Sequence, residues 1–311
     1  MNIVIPDDYQ NCVTGLACYQ KLAGHSVTVY NDTVKNVDDL VARFKDADAI
    51  VLTRERTRIT DELLAQLPKL KLISQTGKVA NHIDMEACKK HGVTVLDGSG
   101  SGAATAELGM LLILSSLRRF TEKVARMQNS QWQGFVGRQL QGKTLGVLGF
   151  GRIGEQICKL GQAFGAKPLV WGRPSSVAKA VDKGFAAAAT REAFFSSCDI
   201  ISVQLRLGEE TKNYVTAADL ALMKSDAIFV NTSRAELVEE GALYNALKLG
   251  HPGFAAVDVY EEEPLIGIRH PLQDLPNCLC SPHIGFVERD NYEAYYGTAF
   301  DNINTFFSNH S

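Results

Sequence analysis

The segment TLGVLGFGRIG, residues 144–154, decides how this sequence folds. An apolar run leads into three glycines spaced GxGxxG, and the following RIGEQICKLGQAF has the apolar spacing of a helix. Here Gly149 permits a tight turn, Gly151 lets the backbone approach a pyrophosphate, and Gly154 lets the helix press on the sheet. Such hexads also occur in structural turns, but this strand-to-helix context predicts a dinucleotide-binding site. Its candidate residues are Gly149, Phe150, Gly151, Arg152, Ile153 and Gly154.

Short apolar runs alternate with helical segments on both sides of this motif. The runs after it are KPLVWG, DIISVQL, AIFVNTS, FAAVDVY and CLCSPHIG, and those before it are NIVIP, SVTVY, AIVLT, KLISQT and VTVLD. The segments TDELLAQL and DMEACKKHG have helical spacing. Continuous apolar strands separated by helices indicate parallel sheets covered on both faces. At 311 residues the chain lies at the upper edge of what one core serves, so we expect two α/β domains.

A long apolar segment, GSGSGAATAELGMLLILSSLRRF, separates the two halves. It predicts a helix from Ala103 to Arg118 that is apolar all round and therefore buried between domains or subunits. The tail NYEAYYGTAFDNINTFF also has helical spacing and is expected to return to the first half. We therefore predict one domain over 1–97 with 285–311, and an inserted dinucleotide-binding domain over 98–284.

Composition narrows the class of protein. The sequence is 45% hydrophobic and 22% charged, typical of a soluble globular protein, and its net charge of −3 favours neither nucleic acid nor an anionic membrane as partner. The start MNIVIPDD lacks the pattern of a signal peptide. Seven scattered cysteines without a CxxC pair argue against a disulfide framework or a metal site, and predict a cytoplasmic location. We expect Cys278 and Cys280 to be buried thiols on one side of a strand.

The segment VWGRPSS, residues 170–176, bears on the choice of cofactor. In an NAD site an acid at the end of the second strand binds the ribose hydroxyls, but here Gly172 occupies that place. A carboxylate beside a 2′-phosphate would cost roughly 1–4 kcal/mol, so its absence admits NADP. Arg173 with Ser175 and Ser176 would bind that phosphate. The alternative is a solvated Arg173 and NAD held by a weaker ribose contact.

Three later segments, each ending a predicted strand, carry acid–base groups. NTSRAELVEEGAL carries Arg234, DVYEEEPL carries Asp258 and Glu263, and SPHIG carries His283. With these groups in this order, a glycine motif in mid-chain and a long helix before it, the sequence resembles the D-isomer-specific 2-hydroxyacid dehydrogenase family over nearly its whole length. The resemblance implies an inserted doubly wound Rossmann domain and a flavodoxin-like substrate domain.

The resemblance also implies roles for these residues. Arg234 would bind the substrate carboxylate and polarise the carbonyl, His283 would protonate the carbonyl oxygen, and Glu263 would hold the imidazole and favour its charged form. The physics agrees, because an alkoxide formed by hydride addition needs a proton donor and a nearby cation. Asp258 would contact the nicotinamide side of the cofactor, and Thr232 is a further candidate for binding it.

Each of these residues also has a purely structural interpretation. Arg234 could cap a helix or pair with Glu236. Glu263 lies in an acidic run, in which Glu261 or Glu262 could take its place. His283 could be a satisfied core histidine, and Asp258 a strand-end aspartate bonded to backbone.

In the first domain, QTGKVANHID stands where the family has its substrate loop. Gly77, Lys78 and Val79 are the candidates, because backbone amides after a glycine can receive a carboxylate. The family pattern there is GxGxD, so GKVAN departs from it and leaves the substrate contacts open. Arg54 in LTRERT could point into a cleft, whereas His82 is expected to be structural.

Other segments bear on the surroundings of the site and on assembly. Arg206 stands where the family often has proline, and residues 286–288 stand where it often has small residues. Trp132 in SQWQG resembles the family's dimer-facing segment, so we expect a homodimer; packing of this ring within the monomer is the alternative.

Taken together, these features predict reversible reduction of a small 2-keto acid to a D-2-hydroxy acid by NAD(P)H. Glyoxylate and hydroxypyruvate are the favoured substrates. One alternative is D-3-phosphoglycerate oxidation, although the chain ends without the regulatory extension of many such enzymes. The alternative from another class is an NAD(P)-sensing, corepressor-like interaction protein, which would tolerate loss of the acid–base groups.

Overall fold

The computed structural model describes residues 1–98 and 100–309 of the chain. It divides into two compact units: unit 1 comprises Met1–Ser101 with Val287–Ser311, and unit 2 comprises Gly102–Phe286. The assignment of substrate and cofactor roles to these units stays a prediction.

The described part of unit 1 contains a five-stranded parallel sheet in the order β2-β1-β3-β4-β5. This is the flavodoxin-like order, whose direction reverses between β1 and β3. The strands are β1 (Asn2–Ile5), β2 (Ser26–Val29), β3 (Ala49–Leu52), β4 (Leu72–Gln75) and β5 (Thr94–Leu96), and the helices before residue 102 are α1 (Val37–Phe44), α2 (Asp61–Leu64) and α3 (Met85–Lys90).

Side-chain caps fix where these helices begin. The side chains of Asn36, Thr60 and Asp84 accept hydrogen bonds from backbone amides in the first turns of α1, α2 and α3. Such caps satisfy amides that have no partner inside a helix. The strands β3 and β4 are buried along their whole length, as expected for a sheet covered on both faces.

The described part of unit 2 contains a seven-stranded parallel sheet in the order β12-β11-β10-β9-β6-β7-β8. Six of these strands repeat the order of a doubly wound dinucleotide-binding sheet, with the reversal between β6 and β9. The strands are β6 (Thr144–Leu148), β7 (Lys167–Trp171), β8 (Ala186–Ala187), β9 (Ile200–Val203), β10 (Ile228–Asn231), β11 (Phe254–Val257) and β12 (Cys278–Cys280). The helices are α4 (Ala103–Arg118), α5 (Phe120–Gln128), α6 (Arg152–Ala163), α7 (Pro174–Asp182), α8 (Arg191–Ser197), α9 (Ala217–Leu222) and α10 (Ala242–Leu249).

Helix α4 has the predicted bounds and packs inside unit 2. Gly109 lies so close to helix α6 that a Cβ added to it would be 3.2 Å from Cδ1 of Ile157. Leu111 on the same helix is 57% exposed. Within this unit, α6 and the sheet cover only the other side of the helix, so burial of the Leu111 side between domains or subunits stays a prediction.

The tail forms helix α11 (Arg289–Ser308), as its spacing predicts, and this helix is part of unit 1. The Glu293 carboxylate accepts hydrogen bonds from the amides of Ala17 and Cys18 at 2.6 and 2.9 Å. The hydroxyls of Tyr296 and Thr53 lie 2.8 Å apart in the interior. These polar contacts join α11 to the 3₁₀ helix Ala17–Leu22 and to the residue that follows strand β3.

Candidate active site

The glycine motif forms a cradle between strand β6 and helix α6. Gly149 has φ +96°, and a Cβ there would lie 2.7 Å from the carbonyl oxygen of Gln204. A Cβ on Gly154 would collide with the Gly149 carbonyl, whereas a Cβ on Gly151 would enter open space. Gly149 and Gly154 are therefore required by the fold itself. Gly151 instead leaves open the place that a pyrophosphate needs.

The cradle has the donors that a dinucleotide phosphate requires. Helix α6 begins after Gly151 without a side-chain cap, so its first-turn amides have no intrahelical partners and carry the positive end of the helix dipole. Gln204 follows β9, which lies beside β6 at the reversal point of the sheet. The side-chain amide nitrogen of Gln204 lies 3.2 Å from Oγ1 of Thr232. The cradle and Thr232 thus lie at the crevice where doubly wound sheets bind ligands, and the residues present fit a dinucleotide.

The end of strand β7 lies against this cradle. A Cβ on Gly172 would be 3.5 Å from Cα of Gly149, and the Gly149 amide donates to the Trp171 carbonyl at 2.7 Å. Arg173 precedes the first turn of α7, and both Arg173 and Ser175 are exposed. The exposed Arg173 thus follows the end of β7, where many NAD-binding sites carry an Asp or Glu that binds the ribose.

Two side chains from adjacent loops meet at the same edge of the sheet. Nδ1 of His283 lies 2.5 Å from Oε2 of Glu263. Because a carboxylate only accepts hydrogen bonds, the proton is on Nδ1. Nε2 of His283 then has no hydrogen-bond partner among the described residues, and the side chain is 25% exposed. The ring is held on one side and open to a reactant on the other.

Backbone contacts orient this pair. The second oxygen of Glu263 accepts a hydrogen bond from the Tyr260 amide at 2.9 Å, and the Tyr260 hydroxyl donates to the Ser281 carbonyl at 2.9 Å. His283 itself has φ +51°, a strained conformation for a residue with a side chain. Tyr260 therefore links the loop that carries Glu263 to the loop that carries His283.

Glu261 has a different partner from Glu263. Its Oε2 lies 2.9 Å from Nε2 of His270, a residue that also caps the 3₁₀ helix Pro271–Asp274. Of the acidic run, the geometry thus favours Glu263 as the partner of His283.

Asp258 stabilises the His283 loop from below. Its carboxylate is fully buried and accepts hydrogen bonds from the Ser281 hydroxyl at 2.6 Å and from the amides of Ile284 and Gly285 at 3.0 and 2.9 Å. Burial raises the pKa of Asp258 above its ordinary value, against the opposing effect of these donors. Contact with the cofactor stays a prediction for Asp258, and the geometry supports the backbone-bonded alternative.

Arg234 begins the loop after β10, the strand next to β11. Its carbonyl accepts from the Asn231 amide group at 2.8 Å, and its Nη1 donates to the Ser233 carbonyl at 2.6 Å. In the sheet register Asn231 pairs with Val257, and Val257 pairs with Cys280. Arg234, Glu263 and His283 thus follow the carboxyl ends of three neighbouring strands.

The predicted substrate loop lies in unit 1. Gly77 is buried with φ +108°, and a Cβ on it would collide with the guanidinium of Arg54. Nζ of Lys78 instead forms a salt bridge of 2.8 Å with Asp97 and is 71% exposed. Val79 packs partly against the core of unit 1. The structure therefore brings Arg54 to Gly77, whereas the charge of Lys78 has a partner elsewhere.

Several residues near these sites were missed by the sequence analysis: Gln75, Gln204, Tyr260 and Tyr295. No local motif marks them, because each acts through a partner distant in sequence. Their only signal was position, directly at or after a predicted strand or on the apolar spacing of the tail helix.

Three further predictions concern the cysteine pair of β12, the ring of Phe286 and the ring of Trp132. Sγ of Cys278 lies 3.8 Å from Sγ of Cys280, so they share one side of β12, but both are only half-buried. The Phe286 ring meets the His283 ring edge-on at 5.5 Å between centroids. Trp132 is 73% exposed, which excludes the alternative of packing within the monomer for most of the ring.

Comparison with known proteins identifies the class. Residues 110–285 match the family model described as D-isomer specific 2-hydroxyacid dehydrogenase, NAD binding domain. Fold and cradle together are those of a dinucleotide-binding protein. The chain belongs to the D-isomer specific 2-hydroxyacid dehydrogenase family, whose members act as NAD-dependent dehydrogenases or reductases. This confirms the predicted family and the predicted fold class.

Individual relatives differ in name. The chain is 50% identical to a phosphoglycerate oxidoreductase from Vibrio cholerae O395, with TM-score 0.96 over 99% of each chain. It is 36% identical to the D-3-phosphoglycerate dehydrogenase of Methanocaldococcus jannaschii over 80% of this chain and 47% of that protein. It is 35% identical to the glyoxylate reductase of Aeropyrum pernix over 81% of this chain and 78% of that protein. The chain thus spans about half the length of the first of these two curated relatives.

None of the helices in the part of the chain that the structure describes is long and apolar enough to cross a membrane. Over the same residues, no group of three or more His, Cys, Asp or Glu side chains could hold a metal ion.

Proposed function

We propose that this protein reduces a small 2-keto acid to the D-2-hydroxy acid, and catalyses the reverse reaction, with a nicotinamide dinucleotide held at the cradle of unit 2. Bound NADH or NADPH would supply the hydride. The observation that carries the proposal is the His283–Glu263 pair, 2.5 Å apart, at the carboxyl edge of the sheet that also carries the cradle.

The chain's own groups would handle charge and protons. Nε2 of His283 would give a proton to the carbonyl oxygen as negative charge develops there. Glu263 would keep the ring oriented and stabilise the imidazolium, while the guanidinium of Arg234 would bind the substrate carboxylate. In unit 1, the Gly77–Val79 amides and Arg54 are the candidates for binding an anionic group of the substrate.

The test is a kinetic screen of 2-keto acids with both reduced cofactors, followed by the configuration of the product. We expect turnover of glyoxylate or hydroxypyruvate, with the D isomer formed from hydroxypyruvate. Tight cofactor binding without turnover of any keto acid would contradict the proposal. It would favour the alternative of an NAD(P)-sensing interaction protein.

A second candidate function is oxidation of D-3-phosphoglycerate. One observation favours it: a second guanidinium, that of Arg56, lies with Arg54 after strand β3 and stacks 4.1 Å over the Tyr9 ring. A phosphorylated substrate needs such additional positive charge. Two of the relatives named above are also phosphoglycerate enzymes. A kcat/KM for D-3-phosphoglycerate above that for D-glycerate would support this candidate, and the reverse order would contradict it.

NADP is the cofactor we favour, since Gly172 removes the usual acid and Arg173 is exposed beside it. Arg173→Ala should weaken NADPH binding about tenfold and NADH binding less than twofold, because only the 2′-phosphate needs that cation. Titration of protein fluorescence with each reduced cofactor measures both constants. Equal losses would leave NAD as the cofactor.

We also propose a homodimer in which the exposed Trp132 contributes to the interface. Within unit 2, which is described in full, helix α5 buries none of its residues, and Phe120 and Met127 on it are 57% and 62% exposed. Sedimentation of Trp132→Ser against wild type tests this assignment. The cytoplasmic location and the substrate and cofactor roles of units 1 and 2 remain parts of the proposal.

A further inference from the structure

Unit 1 contains a cluster of residues around Arg54. Two of its members, Arg54 and Gly77, were candidates from the sequence, whereas no motif marks Tyr295. It consists of Arg54 after strand β3, Gly77 after β4, Gly100 after β5, and Tyr295 on helix α11. A Cβ atom on either glycine would collide with a side chain of the cluster, so both positions require glycine for these side chains to lie where they do. The cluster therefore joins three strand ends to the C-terminal helix.

The backbone of Arg54 is fixed by its neighbours on strand β4. Arg54 has φ +54°, a conformation that costs energy for a residue with a side chain. Its amide donates to Oγ1 of Thr76 at 2.9 Å, and its carbonyl accepts from the amide group of Gln75 at 2.7 Å. His82 lies 3.2 Å from the other end of the Gln75 amide group. The strained backbone is thus held by a hydrogen-bonded network, as is common at functional positions.

The side chain of Arg54 is directed by Tyr295. Nη1 of Arg54 lies 3.4 Å from the Tyr295 hydroxyl, and the guanidinium carbon is 5.3 Å from the centre of the ring. A Cβ on Gly77 would occupy the place of Nη1 and would also lie 3.4 Å from the Tyr295 ring. The guanidinium is therefore held between the ring of Tyr295 and the turn at Gly77.

Tyr295 is itself fixed from the other side. A Cβ on Gly100 would collide with the ring and hydroxyl of Tyr295, so the ring lies directly on the backbone at Gly100. The neighbouring Tyr296 is 1% exposed, and its hydroxyl forms a hydrogen bond with that of Thr53. This buried contact sets the rotation of helix α11 about its axis at this point. The ring of Tyr295 remains only half-buried, so it is a wall of the cluster and not a core residue.

We propose that Tyr295 is a positioning residue that holds the Arg54 guanidinium over the Gly77 turn and thereby sets the affinity for the anionic end of the substrate. This inference rests on the proposed function, because it assigns to Arg54 a contact with the substrate anion. It adds a specificity-determining role for helix α11, whose residue Tyr295 lies 241 positions from Arg54 in the sequence.

The first test separates KM from kcat. Tyr295→Phe keeps the ring and removes the hydroxyl, and should raise KM for the keto acid about threefold. Tyr295→Leu also removes the face on which the cation rests and should raise KM about tenfold or more. The change in kcat should be smaller than the change in KM in both variants. Tyr19→Phe is the matched control, because its ring contacts Phe300 of the same helix, and its KM should equal that of wild type.

The second test is a double-mutant cycle with Arg54→Met. If Tyr295 acts through Arg54, Tyr295→Phe should change KM in the wild-type background and leave it unchanged in the Arg54→Met background. Equal effects in the two backgrounds, or a Tyr295→Leu variant with wild-type KM, would overturn the inference. Thermal unfolding of each variant identifies loss of folding, and Tyr295→Phe keeps the test valid if Tyr295→Leu unfolds.

Calorimetric titration with oxalate, a planar dianion, reads the same cycle without turnover. If no keto acid is reduced but oxalate affinity falls with Tyr295→Phe only when Arg54 is present, the dehydrogenase proposal fails and the inference stands. If keto acids are reduced and oxalate affinity is the same in all variants, the inference fails and the dehydrogenase proposal stands. No oxalate binding to wild type in the presence of NADH would also overturn the inference.

Discussion

The carboxyl edge of the sheet in unit 2 and the Arg54 cluster of unit 1 are built in different ways. In unit 2, the cradle, Arg234 and the His283–Glu263 pair follow strand ends within short sequence motifs. In unit 1, Arg54 is held by Gln75, Thr76 and Tyr295, each of which lies 21 or more residues away from it in the sequence. A site on consecutive strand ends can be predicted from sequence, whereas a site held by a distant helix requires the fold.

The two regions also share a feature. His283 and Arg54 both have positive φ angles, +51° and +54°, although neither is glycine. Gln75 donates a hydrogen bond to the carbonyl of Arg54, and Asp258 accepts one from the amide of Ile284, directly after His283. Strain of this kind persists only where the surroundings compensate for it, and it marks functional positions in many proteins.

The largest effect is expected at the acid–base pair of unit 2. His283→Ala should lower kcat by about two to four orders of magnitude, because it removes the proton donor, and should leave NADH affinity near wild type. Steady-state kinetics and a fluorescence titration measure the two quantities. His25→Ala, which removes a histidine of unit 1 that contacts Asn304, is the control. An unchanged kcat would remove His283 from the mechanism.

The next effect compares the cations of unit 1. Arg54→Met should raise KM for the keto acid about 10- to 100-fold, the expected loss for a charge-assisted hydrogen bond. Lys78→Met should raise it less than twofold, because Lys78 is exposed and paired with Asp97. Similar increases in both variants would contradict the assignment of Arg54 as a cation of unit 1 that binds the substrate.

Substitutions of the second and third glycines of the cradle should have different effects, one on NADH affinity and the other on stability. Gly151→Ala places a methyl group in open space and should weaken NADH binding about tenfold while the unfolding temperature stays at the wild-type value. Gly154→Ala collides with the Gly149 carbonyl and should cost about 1–3 kcal/mol of stability. Calorimetry with and without NADH measures both. A Gly151→Ala variant with wild-type NADH affinity would contradict the location of the phosphates.

The smallest effect concerns a charge cluster on helix α6. Glu155 lies 2.5 Å from Lys183 and 2.9 Å from Lys159, and these hydrogen bonds lower its pKa to about 2. Since the folded-state pKa lies below the unfolded one, the stabilisation is present above the ordinary glutamate range and is lost as the pH falls toward about 2.

Glu155→Gln should therefore lower the unfolding free energy at neutral pH slightly and remove part of its decline in acid. Urea unfolding across that pH range measures the effect. Glu192→Gln is the control, since Glu192 is exposed and forms no salt bridge among residues 1–98 and 100–309. A larger loss for Glu155→Gln in acid than at neutral pH would contradict this account.

Most of the fold could be predicted from sequence, and the reason is physical. Parallel strands buried on both faces read as apolar runs, and all but the two-residue strand β8 were marked in this way. Strand β8 was missed because two alanines carry no periodic signal. Helix α4 has its predicted bounds, but apolar composition alone does not reveal which neighbour covers each side of it.

The candidate site divides along the same line. The resemblance to the family implied roles for Glu263 and His283, but only the structure distinguishes Glu263 from Glu261, which pairs with His270. Lys78 was a candidate by position, and its salt bridge to Asp97 could not be read from the sequence. Tyr295 was invisible in the sequence, because its partners Arg54 and Gly100 are brought to it by the folding of unit 1.

The most direct test of the account follows the hydride. Wild-type protein is mixed with hydroxypyruvate and NADH or NADPH deuterated at C4 on the transferred face, and the product is analysed for deuterium and configuration. The account predicts deuterium at C2 of the D-2-hydroxy acid, formed by wild type and almost abolished in His283→Ala. Product without deuterium at C2, or equal formation by both proteins, would contradict it.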